Sequence, residues 1–128
     1  MTATPLVPTS GGELLDKITI LQIKQERIAD AAKRANVTTE LEALAAIAVA
    51  AMRQAAALLA ELKQVNEALW EIEDQIRDKE REGEFDARFI ELARAVYVTN
   101  DQRAAVKRQI NQALGSALVE EKSYKPYT

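Results

Sequence analysis

The chain of 128 residues has no cysteine and no histidine. That removes disulfides, thiol nucleophiles, zinc sites of the usual ligand types and imidazole acid–base chemistry. Any catalysis must run on Asp, Glu, Lys, Arg, Tyr or Ser. Aromatic residues make up 5% of the chain against 48% apolar residues overall, so a core has to be aliphatic and rich in alanine. Four glycines, three prolines and no sustained alternation of apolar and polar residues speak against a sheet protein. A strong positive excess is also missing. The net charge of −3 argues against nucleic acid as a general partner.

Long apolar runs are short as well. The longest uncharged one, Ala43 to Met52, is closed by Arg53 and falls far below the roughly 20 residues of a membrane span. Met1 to Ser10 lacks the basic start and apolar centre of a secretory signal. The expectation is a soluble, cytoplasmic protein with no membrane span, one domain by its length.

What is present is helical periodicity. Leu41, Leu44, Ala48, Ala51, Ala55, Leu58, Leu62, Val65, Leu69, Ile72 and Ile76 follow one another at steps of three and four. This heptad-like seam predicts one helix over residues 40–82, roughly 60 Å long at about 1.5 Å per residue. Ser10-Gly11-Gly12-Glu13 and Thr39 to Glu42 read as capping boxes. Asn36 and Gly83 suit helix ends, and Asp86 suits a helix start. The reading is all-α: an extended lead-in over 1–10, helices over 11–35, 40–82 and 87–114, and a tail over 115–128. Leu118, Val119, Tyr124 and Tyr127 give that tail enough apolar matter to strap back on the bundle, and Pro126 discourages a further helix.

Short loops fold the two outer helices back, antiparallel, on the long central one. They overlap near its middle and leave two-helix ends. The first helix carries Leu14, Ile18, Leu21 and Ile28 on one face, with Ile20 and Ile23 nearly opposite. A helix apolar on two sides has two neighbours. The second neighbour is read as another copy of the chain. Ile20, Ile23 and the small residues Ala48, Ala51 and Ala55 are the interface candidates of a homodimer that completes the bundle.

Four stretches carry a family resemblance: VPTSGGELLDKITILQIKQERI (Val7 to Ile28), VNEALWEIEDQIRDKE (Val65 to Glu80), FIELARAVYVTNDQRAAVKRQIN (Phe89 to Asn111) and GSALVEEKSY (Gly115 to Tyr124). In sequence and order they resemble an uncharacterised family of short bacterial helical proteins, a domain of unknown function. Ala43 to Ala60 matches only in length and helical pattern. The resemblance implies a helical fold, a bacterial source and a link to cell-envelope glycan biosynthesis. It implies no activity.

Polar residues interrupt the apolar pattern in one place. A hairpin turning at Gly83 to Asp86 sets Ile76 opposite Ala93, Leu69 opposite Asn100 and Leu62 opposite Lys107. Asn66, Trp70, Glu73 and Arg77 of the long helix then converge on Asn100, Arg103 and Lys107 of the last one. Buried polar groups in bundles commonly fix register and oligomer state. The sharper alternative is an anion pocket, or a small enzyme built on it, in which Arg103, Lys107 and Arg77 hold a carboxylate or phosphate. Glu71, Glu73 and Asp74 point to different sides of a helix, so no metal is expected, and no cofactor is called for. The function expected is a non-catalytic homodimer acting as an adaptor or scaffold for another, unidentified protein.

Overall fold

The structure is a computed structural model, and it describes residues 4–127. Four helices make the fold: α1 (Gly11–Arg27), α2 (Ala31–Gln54), α3 (Ala56–Glu82) and α4 (Ala87–Leu114). No strand occurs among the described residues. The caps explain most of the boundaries. Ser10 Oγ accepts the backbone N–H of Glu13 at 3.1 Å and starts α1. Asp86 Oδ1 accepts that of Phe89 at 3.0 Å and starts α4. Gly83 and Gly115 close α3 and α4 at φ of 67° and 62°, a conformation that costs a residue with a Cβ far more than it costs glycine.

Two boundaries differ from the pattern-based expectation. The first helix stops at Arg27 rather than Ala35, and the chain turns through Ile28–Asp30. Asp30 starts α2 by accepting the N–H of Lys33 at 2.9 Å. Thr39 is therefore inside a helix, where its hydroxyl donates to the Ala35 carbonyl at 3.0 Å instead of capping. Asn36 is helical too and ends nothing. The expected 40–82 helix is in turn jointed at Ala55, whose φ of −111° and ψ of 33° depart from helical values. The bonds Ala55 N–H to Ala51 O (3.0 Å) and Leu59 N–H to Ala55 O (2.8 Å) carry the helical ladder across the joint. α2 and α3 thus follow end to end and do not fold side by side.

α1 packs against all three other helices. It runs antiparallel to α2, where Lys17 pairs with Glu40 at 2.9 Å and Gln25 donates to Thr38 at 3.0 Å. On its other side Lys63 and Glu26, and Arg27 and Glu71, join it to α3. α3 and α4 form the hairpin, fixed near its turn by Arg88 to Gln75 (2.7 Å) and Lys79 to Asp86 (2.9 Å). Leu15, Ile18, Ala48, Ala55, Leu62, Val106 and Ile110 form the continuous core.

This packing takes up, within one chain, the residues expected at a dimer interface. Ile23, Ala48 and Ala55 are buried inside the single chain, and Ala51 packs against its core. Ile20 is half-buried beside α3 and α4. The second face of α1 is covered by α3 and α4, so it makes no demand for another copy. The tail, 115–127, lies back along α4: Tyr127 donates to Asp101 at 2.7 Å and meets the Tyr97 ring edge-on at 5.1 Å.

Candidate functional site

Gly12, Asp16, Thr19 and Ile23 recur at steps of four, three and four, so they share one stripe of α1. All four are buried against α3 and α4. At the top of the stripe the Gly12 N–H donates to Asn111 Oδ1 at 2.7 Å. A Cβ at Gly12 would stand 2.6 Å from the Lys107 carbonyl oxygen, so only glycine lets α1 approach α4 this closely.

One turn down, the Asp16 carboxylate is 1% exposed and is satisfied from both neighbours. Its Oδ1 accepts from Arg103 Nε and from Asn66 Nδ2, each at 2.9 Å, and its Oδ2 accepts from Arg103 Nη2 at 2.5 Å. The two-pronged Arg103 contact is the geometry in which arginine binds a carboxylate best. Thr19 closes the ring, donating to the Asp16 carbonyl at 2.7 Å and accepting from Asn66 Nδ2 at 2.9 Å. Lys107 lies at the outer edge, 3.9 Å from Asp16, and bonds Glu13 at 2.9 Å and Glu120 of the tail at 3.2 Å.

The electrostatics follow the geometry. The hydrogen bond to Asp16 raises the Arg103 pKa above its ordinary value against the opposing effect of burial. For Lys107, burial is the largest influence and pulls downward, but the bond to Glu13, the charge of Asp16 and the bond to Glu120 outweigh it and the pKa rises. The same Lys107 bond holds Glu120 below the usual glutamate value. No buried side-chain nitrogen or oxygen among the described residues lacks a partner. The cations at the centre are therefore already neutralised from within.

Beside this network opens a cleft of about 560 Å³. Asn66, Trp70, Glu73, Arg77, Asn100 and Arg103 all line it, with Ile20, Ile23, Leu69 and Asp74. Lys107 does not; it faces an adjoining space of about 250 Å³ with Glu13, Glu120 and Lys122. Glu73 pairs with Arg77 on its own helix and not with Arg103. The Arg27 guanidinium, held by Glu71, sits 6.0 Å from the centre of the Trp70 ring. A further space of about 720 Å³ lies between α4 and the tail, walled by Val96, Tyr97, Tyr124 and Tyr127. No group of three or more carboxylates among the described residues is placed to hold a metal ion.

Residues 6–127 match the model of the family of unknown function DUF6165. The chain belongs to this family. No curated protein and no solved structure matches it. The residue at the centre of the DUF6165 chain's polar network, Asp16, escaped pattern reading, as did Thr19 and Asn111. The signal was available in the Gly12–Asp16–Thr19–Ile23 stripe, where a carboxylate stands among residues that must be buried. Such a carboxylate requires a cation, and Arg103 was already singled out on the last helix.

Proposed function

We propose that this chain is a non-catalytic helical homodimer that serves as an adaptor or scaffold for another protein in the bacterial cytoplasm. The supporting observation is the internal pairing of the polar cluster. Asp16 takes both prongs of Arg103 and an amide proton of Asn66, so the cluster has structural work and no free cation at its centre. The apolar surface points the same way. Ile47 is 73% exposed and Ile90 57%, an arrangement that suits contact with another macromolecule better than chemistry on a small one. The link to cell-envelope glycan biosynthesis implied by the family resemblance directs the search for that partner. Sedimentation equilibrium at micromolar concentration tests the self-association: the expected species has twice the 14.2 kDa of the chain. A 14.2 kDa monomer throughout would remove the homodimer from the reading.

A second reading, a small-molecule site between α3 and α4, has one observation in its favour. Asn66 and Arg103, both members of the polar network, also line the cleft of about 560 Å³. With Arg103 and Arg77 both paired, an anion would have to displace a carboxylate to enter. Trp70 is the only tryptophan and lines the same cleft, so its fluorescence reports occupancy directly.

A further inference from the structure

Between Ala43 and Met52 α2 is apolar all round, and its core face accounts for only part of that. Val37, Leu41, Leu44, Ala48 and Ala51 turn inward, toward α1 and the joint at Ala55. Among the described residues α2 is also the one helix that, by length and composition, could cross a membrane: its most apolar 18-residue stretch has a mean hydropathy of 1.3, and 11% of that stretch is buried. Ile47 at 73% and Val49 at 53% exposure stand in solvent.

The exposed side has an order of its own. Glu42, Ala46, Val49 and Arg53 follow at steps of four, three and four, which puts them in one stripe opposite the core face. Each of the four is exposed. The spacing reads the same in both directions, and the two ends carry opposite charge. No ion pair among the described residues involves Glu42 or Arg53, whereas neighbouring Glu40 is engaged by Lys17.

We infer that this stripe is where two copies of the chain meet, α2 against α2 and antiparallel, about a two-fold axis between residues 47 and 48. That arrangement sets Glu42 of each copy across from Arg53 of the other, and Ala46 across from Val49. Alanine at the contact lets the helices approach to about 8 Å, the close end of the usual range. A parallel pair is excluded by its own charges, since it would set Glu42 on Glu42 and Arg53 on Arg53. A two-fold interface must be self-complementary, and this stripe is. The inference rests on the homodimer proposed above and supplies its contact surface.

The test is sedimentation equilibrium of four chains, with circular dichroism confirming unchanged helicity in each. Arg53→Glu sets two acids on each other at both ends and should raise the dimer dissociation constant by about tenfold or more. Glu42→Arg should do the same. The double variant Glu42→Arg/Arg53→Glu exchanges the charges and should restore the wild-type constant, which mere loss of a surface charge would not do. A wild-type dimer indifferent to either single variant, or weakened by the singles and not rescued by the double, overturns this interface while leaving the homodimer standing. A monomeric wild-type chain overturns both. Flotation with phosphatidylcholine and phosphatidylglycerol vesicles supplies the last arm: a monomer that floats assigns the face to a lipid surface and ends the proposal.

Discussion

Replacing Asp16 by alanine strikes the point where α1, α3 and α4 meet. The substitution leaves Arg103, whose side chain is 29% exposed, without its carboxylate, and leaves Lys107, 10% exposed, one anion short. Removing one partner of a buried pair costs about 3–5 kcal/mol because the other charge stays desolvated. Arg103 reaches the cleft and Lys107 keeps Glu13 and Glu120, so the low end of that range applies. Asn66 also loses an acceptor, worth about 1 kcal/mol. The expected loss is about 3–4 kcal/mol in urea unfolding followed by circular dichroism. For a domain of this size it corresponds to a fall of roughly 10 °C in Tm. A companion variant, Asp16→Leu/Arg103→Met, removes both charges and should recover about half of the loss or more, since apolar replacements of buried ion pairs are often neutral. A loss below about 1 kcal/mol for Asp16→Ala would refute the idea that this pair organises the three helices.

Three further outcomes follow from the same contacts. Gly12→Ala drives a Cβ into the Lys107 backbone oxygen and should cost about 1–3 kcal/mol despite alanine's better helix propensity. Gly11→Ala meets mainly the movable end of Leu114 and should cost clearly less; equal effects in urea unfolding would contradict the close approach. Asp30→Ala removes the cap of α2 and should cost about 1 kcal/mol by the same measurement, whereas a neutral result would return the helix start to Thr39. Glu120 is held below its ordinary pKa of 4.5, so its contribution to tail docking is complete above that value and is lost as pH falls through the lowered one. Hydrogen exchange over 116–127, corrected for intrinsic rates, should quicken in that acid window before helicity falls; simultaneous loss of both would show that the Lys107–Glu120 bond does not hold the tail.

The ends of the fold were legible where a single residue caps a helix by its own chemistry, through a side-chain oxygen or the freedom of glycine. Ser10, Gly83, Asp86 and Gly115 stop or start helices by local chemistry, and each does so in the structure. Asp30 was hidden because the alanines after it continue the helical pattern of the residues before it. The joint at Ala55 leaves the three–four spacing intact and so has no trace in the pattern. The two-sided helix was read correctly as needing two neighbours, but periodicity says that a face is covered and not by what. Gly12 decided the matter: its missing side chain admits α4, and α4 covers the face that Ile20 and Ile23 had suggested was free for a second copy. The polar residues were visible as interruptions in α3 and α4, while their anion lay on a helix judged by its isoleucines.

The central claim is that the Asp16–Arg103–Asn66 network is structural and occupied from within. Melting temperature as a function of added phosphate and succinate, for the wild-type chain and for Arg103→Ala, tests it most directly. The account predicts that neither anion raises the melting temperature of the wild type more than that of the variant. A rise in the wild type that grows with the logarithm of anion concentration, reaching about 2.7 kcal/mol of stabilisation at a hundredfold excess over Kd and abolished by Arg103→Ala, would make the cluster a binding site and contradict the account.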